Sequence, residues 1–191
     1  MSHMPAAAPV RMTAEAFLAR PEPERGREEL LGGELVVTLN SPLPVHQFVV
    51  GVLYSELHVW CRAEPRRGFP TLNIDVGLDR FNVPQPDVQW YAAGREFTDP
   101  STRPQPLGDI VVEVRSPSTW SRDVGVKRAL YERYGARELW LVDLPARTVL
   151  IFARSTADAR TFDQATEAGD GEALTSPLLP GFTLPVADLF R

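Results

Sequence analysis

Apolar residues between positions 44 and 61 recur at the spacing of one helix face: Val45, Phe48, Val49, Val52, Leu53, Leu57 and Trp60. Pro44 suits a helix's first turn, so this periodicity predicts a long helix from Pro44 to about Cys61. A second helix is predicted over Arg122–Tyr134, stopped by Gly135. A short one runs from its cap at Thr13 through Arg20. The β-branched and apolar segments Thr71–Leu78, Asp87–Tyr91, Asp109–Val114 and Glu138–Val142 read as strands, with Arg147–Ala153 returning as a hairpin partner. Gly32-Gly33 marks a tight turn before a strand beginning at Glu34, and a charged, Pro-bearing stretch, Pro21–Glu29, follows the first helix. Ser116–Thr119 forms a turn, and the Gly- and Pro-rich tail Thr161–Arg191 ends in a short helix near Val186–Phe190. The order of elements describes one mixed α/β domain over residues 1–191, with residues 1–10 as a flexible tail or expression remnant.

Composition narrows the class. A hydrophobic content of 43% supplies a core, whereas no apolar run reaches the ~18 residues needed to cross a bilayer. The start of the chain lacks the basic-then-apolar pattern of a secretion signal, and the single cysteine, Cys61, excludes an internal disulfide. Together these predict a cytoplasmic protein without membrane contact. The net charge of −5 argues against a general nucleic-acid coat, which needs a basic surface. The basic residues carry a sharper signal, because of 20 Lys plus Arg only position 127 is lysine. Arginine cannot serve where a compact, rotatable ammonium is required, so Lys127 is a candidate functional residue on composition alone.

Two carboxylates stand where strands leave the core, Asp87 in Pro86-Asp87-Val88 and Glu113 in Val112-Glu113-Val114. A carboxylate inside so apolar a run is costly unless paired or metal-bound. An Asp and a Glu on neighbouring strands, with the carbonyl of Val114, would suit a hard cation that takes one or two carboxylates and waters. Such a site activates water and neutralises charge in phosphodiester hydrolysis, and a nearby lysine orients the water or helps deprotonate it.

Pro86-Asp87 followed by Glu113-Val114-Arg115 resembles the PD-(D/E)XK nuclease signature, with Arg115 where that signature has lysine. The wider pattern is similar to the Uma-type restriction endonuclease family within that superfamily. The matching segments are Glu34-Leu35-Val36, Pro44 to His46, Pro86-Asp87-Val88, and Val111 to Thr119. They continue through Arg122-Asp123, Lys127, Tyr131, Gly135 to Asp143, and Pro180-Gly181-Phe182.

This resemblance implies a restriction-endonuclease-like fold, a mixed central sheet flanked by helices with an extra β-hairpin near the C-terminus. It implies a metal-dependent endonuclease acting on DNA, with Mg²⁺ or Mn²⁺ held by Asp87 and Glu113. Lys127, moved from the strand to the following helix, would position the attacking water. Asp123, Lys127, Leu130, Tyr131 and Tyr134 share one face of that helix.

Glu34, His46, Arg115 and Asp123 form a second tier of candidates. Glu34 could extend the metal site, and Arg115 could contact phosphate or balance the two acids. His46 reads either as a core or capping histidine or as a site residue. Asp123 and Lys127 also read as an ordinary i, i+4 pair. Cutting both strands of a duplex would favour a homodimer. The rival reading is a nuclease-fold module without catalysis that binds nucleic acid or protein, favoured by Arg115 and the acidic charge.

Overall fold

The computed structural model describes residues 11–21, 23–24, 26–39, 43–95, 97–116 and 120–191. The tail expected over residues 1–10 and most of the turn expected over Ser116–Thr119 lie outside them. Thr13 caps α1 (Ala14–Leu18), its hydroxyl accepting from the Ala16 N–H. A hairpin follows, β1 (Arg27–Leu31) and β2 (Glu34–Thr38), joined by Gly32 and Gly33 at φ +63° and +82°. Two consecutive positive-φ residues are what a two-residue hairpin turn requires, and glycine adopts them without steric cost.

β1 takes in the end of the charged, Pro-bearing stretch Pro21–Glu29, where the sequence pattern predicts no strand. Counting back from the Gly-Gly turn pairs Leu31 with Glu34 and Arg27 with Thr38, so the charged residues belong to a strand.

The long helix α2 covers Pro44–Ala63, but its buried face is rotated from the expected one. It buries His46, Val49, Val50, Leu53 and Leu57, whereas Val45 and Phe48 are exposed. The strand expected over Thr71–Leu78 lies earlier, as β3 (Phe69–Leu72). β4 (Val88–Tyr91) and β5 (Ile110–Val114) fall close to their expected places, as do β6 (Glu138–Asp143) and β7 (Thr148–Ala153). β8 (Gln164–Ala168), within the Gly- and Pro-rich tail, completes a six-stranded sheet in the order β3-β4-β5-β6-β7-β8. All neighbours are antiparallel except β5 and β6. The connection between that parallel pair contains the second helical region: α3 (Trp120–Arg122), a π-helical turn (Asp123–Lys127) and α4 (Arg128–Arg133). β9 (Ala173–Leu174) pairs with β10 (Leu184–Pro185) near the C-terminus, before a 3₁₀ turn over Val186–Phe190.

Alternation along β5 and β6 divides the core into two layers. Ile110, Val112, Val114, Trp140 and Val142 pack with α2 and the C-terminal segment. Val111, Leu139 and Leu141 pack with Tyr131 of α4. Glu113 has the parity of Val111 and therefore faces the second layer.

Another carboxylate, Glu138, is buried in the sheet and accepts from Trp140 Nε1 (2.8 Å) and Ser176 Oγ (2.7 Å). Burial raises its pKa against those two hydrogen bonds. The folded state therefore holds this proton more tightly than the unfolded chain, and the group costs stability as pH rises above the usual Glu value of about 4.3. Glu138→Gln is expected to raise Tm near neutral pH, since its carbonyl can accept from Trp140 and its amide can donate to Ser176. That advantage should vanish in melts below about pH 4, where glutamate is neutral as well.

Candidate active site

Sheet register explains why two carboxylates distant in sequence meet. In the antiparallel β4–β5 pair Val88 lies opposite Val112, and one further step sets Asp87 opposite Glu113. Asp87 Oδ2 accepts the Val114 N–H at 2.8 Å, so the strand following Asp87 and the end of β5 are tied together at this point.

The hairpin supplies a third side to the site. Leu30 and Val83 exchange backbone hydrogen bonds of 3.1 and 2.8 Å, docking β1 against the segment that leads to Asp87. Arg27 Nη1 thereby reaches Asp87 Oδ1 at 2.9 Å, and Glu29 Oε1 accepts the Gln85 N–H at 2.8 Å. The second helical region supplies the fourth. Its π-helical turn buries both Asp123 and Lys127, and the α-helix that resumes at Arg128 buries Tyr131. π-helical turns within α-helices occur frequently at functional sites.

Lys127 Nζ stands between Glu113 Oε1 at 2.7 Å and Glu29 Oε1 at 2.9 Å, with Asp123 Oδ1 at 3.7 Å. Tyr131 donates its hydroxyl to Glu113 Oε1 at 2.6 Å.

The electrostatics follow from this packing. Burial disfavours the Asp87 charge, but His46, Arg27 and the Val114 N–H outweigh it and hold the carboxyl well below the usual range. Burial also lowers the proton affinity of Lys127, yet Glu113 and Glu29 more than compensate, so the residue remains an ammonium. The same lysine leaves its two carboxyl partners shifted in opposite directions. Glu29 is held low against burial because it also meets Arg27 and the Gln85 N–H. Glu113 is pushed up by burial, with Asp123 and Asp87 adding repulsion that Lys127 offsets only in part. Four buried carboxyls, Glu29, Asp87, Glu113 and Asp123, thus face two permanent cations among the described residues, Arg27 and Lys127.

Of the second-tier candidates, the structure brings His46 and Asp123 to this cluster. His46 Nε2 is 3.4 Å from Asp87 Oδ2, while its Nδ1 is buried without a hydrogen-bond partner among the described residues. Arg115 lies elsewhere. Its guanidinium binds both oxygens of Asp143 at 2.8 and 2.7 Å and stacks over Trp120, so it balances Asp143 and not the two acids. Glu34 is exposed beside the Gly-Gly turn; the carboxylate of this hairpin that enters the cluster is Glu29. The sequence alone does not point to Arg27 and Glu29, which lie in or beside a charged, Pro-bearing stretch, and it places Tyr131 on the helix face of Lys127 without assigning it a role in the site. Extending the hairpin register backwards from Gly32-Gly33 would have found the first two.

Residues 14–187 match the model of the Uma2 family, described as "Putative restriction endonuclease". The chain belongs to that family. Among solved structures, a protein of Anabaena variabilis described as "a putative nuclease" superposes with a TM-score of 0.75 and 18% identity. The alignment covers 94% of this chain and 97% of that one, which establishes a shared fold. No curated protein matches the sequence, and no helix among the described residues is long and apolar enough to cross a membrane.

Uma2 membership implies a divalent cation, and the chemistry of the cluster fits one. Its donors are hard carboxylate oxygens, the kind a divalent cation such as Mg²⁺ takes. Among the described residues no three His, Cys, Asp or Glu side chains converge as a ready-made cage. Mg²⁺ is typically held by one or two carboxylates with waters, a requirement that Asp87 and Glu113 could meet.

Proposed function

We propose that the protein is a divalent-metal-dependent endonuclease hydrolysing DNA phosphodiester bonds, with Asp87 and Glu113 as metal ligands and Lys127 as the residue that positions water. The observation that carries this reading is the convergence of the chain's single lysine with those two carboxylates in one buried cluster. A cation bound there would supply a Lewis acid that activates water and neutralises charge on the phosphate.

The chain's own residues have separable roles. Arg27 and the Val114 N–H fix the Asp87 carboxylate, each on a different oxygen. Glu29 holds the ammonium of Lys127 against Glu113, and Tyr131 holds Glu113 from the helix side. Because Lys127 stays protonated, it acts by donating hydrogen bonds to the attacking water and to the phosphate oxygens, and not as a base. A two-fold pair of subunits, each offering one site, would cut both strands of a duplex.

Purified protein incubated with plasmid DNA is expected to cleave in Mg²⁺ or Mn²⁺ and to stop when EDTA is added. Glu113→Gln, which preserves shape and an acceptor for Tyr131, should lower cleavage about a hundredfold or more and weaken Mn²⁺ binding in calorimetry. Intact plasmid under every condition, together with no Mn²⁺ site dependent on Glu113, would instead identify a nuclease fold without chemistry.

A further inference from the structure

The rotation of α2 that brings His46 to Asp87 leaves part of the helix's apolar surface outside the core. Val45, Phe48, Val52, Ser55 and Val59 follow one another at alternating i+3 and i+4 steps, the spacing of a single seam along a helix. The core face, made by His46, Val49, Val50, Leu53 and Leu57, lies on another side. Val45, Phe48 and Val59 are 45%, 44% and 63% exposed, and Val52 is half-buried. A helix that is apolar on more than one side needs cover on each, and this chain covers only one.

Three features identify the missing cover as a second copy. From Leu35 to Ser55 the sequence has no Lys, Arg, Asp or Glu, its longest such stretch, although 24% of all residues are charged. A surface that meets itself across a two-fold axis sets like beside like, so any charge near the axis would be repelled. Nucleic acid, by contrast, would need basic groups there. Gly51 stands next to Val52, and among the described residues nothing lies within 4 Å of where its Cβ would be. Glycine inside a helix costs about 1 kcal/mol relative to alanine, and nothing packed in this chain requires it here. A second helix crossing closely at that point would. Finally, Val45 and Val59 are equally spaced on either side of Val52, so the seam matches its own reverse.

We propose that two copies of this chain pair through α2, the helices antiparallel across a two-fold axis at Val52. Val52 then meets its own copy, Val45 of each chain meets Val59 of the other, and Gly51 lets the backbones approach at the crossing. The proposal concerns association alone and stands whether or not the site cuts DNA. It places the interface next to the cluster, since Val45 adjoins His46, whose Nε2 is 3.4 Å from Asp87 Oδ2.

Sedimentation velocity of the full chain, over about 1 to 100 µM, is expected to show a dimer. Val45→Lys and Val59→Glu should each raise its dissociation constant about a hundredfold, because each leaves an unpaired charge in an apolar interface. Both positions are exposed in the single chain, and circular dichroism checks that the helix content is unchanged. The double variant is expected to recover the dimer, since each new lysine then faces the other chain's new glutamate. Within one chain the two positions are about 21 Å apart along the helix, too far to pair. A wild type that stays monomeric throughout overturns the proposal. So does a dimer that neither single variant weakens, and so does a double variant that associates no better than the single ones.

Discussion

Lys127→Met is expected to abolish cleavage and to destabilise the fold by about 3–5 kcal/mol, the cost of leaving buried charge without its partner. The ammonium is buried and lies within 3 Å of both Glu113 and Glu29, with Asp123 slightly farther away. Methionine fills much the same volume, so packing is largely preserved and the loss is electrostatic. Lys127→Arg should not rescue activity, because a planar guanidinium cannot occupy the space of an ammonium held between two carboxylates. Urea denaturation measures the stability, and combining Lys127→Met with Glu113→Gln separates the two effects. Removing the facing charge should restore part of the lost stability while cleavage stays absent. A Lys127→Met protein as stable and as active as the wild type would show that the ion pairs contribute to neither.

Asp87→Ala should be nearly as damaging, for the opposite reason. This carboxylate accepts from Arg27 and from the Val114 N–H and lies against His46, so alanine leaves the Arg27 guanidinium and a backbone donor without that acceptor. A loss of about 3–5 kcal/mol is expected from breaking a buried pair on one side only. Asp87→Asn should lose much less stability, since its carbonyl can still accept one of these bonds. Both variants should lose Mn²⁺ affinity in calorimetry. If Asp87→Asn bound Mn²⁺ as the wild type does, Asp87 would be a structural anchor for Arg27 and not a metal ligand.

These two residues and Glu113 were nameable from the sequence because each violates a local expectation. A glutamate interrupts a β-branched run, an aspartate follows proline at a strand start, and one lysine persists among arginines. Arg27 and Glu29 violate nothing locally. They lie in a stretch of mixed charge with two prolines and a glycine nearby, and only their pairing across Gly32-Gly33 makes them a strand. β8 escaped notice for a related reason, since Gln164–Ala168 is mostly exposed and shows no apolar run. Its strand character comes from pairing with β7 at the sheet edge. The exposure of Val45 and Phe48 has a different origin, because α2 is turned so that His46 reaches Asp87, and the apolar count alone cannot choose that rotation.

What the sequence determined by itself is the set of elements whose signals are periodic or repeated along the chain. These are the two long helical regions, the buried central strands, and the chemistry types available at their ends. Tertiary structure alone decided which groups share one space. The β4–β5 register sets Asp87 opposite Glu113, strand parity turns Glu113 toward the second helical region, and the docked hairpin adds Arg27 and Glu29. It also decided that Arg115, at the position where the PD-(D/E)XK signature has lysine, pairs with Asp143. The physical reason is that periodicity is a property of neighbouring residues. The sign and distance of buried charges depend on register and packing, which only the folded chain possesses.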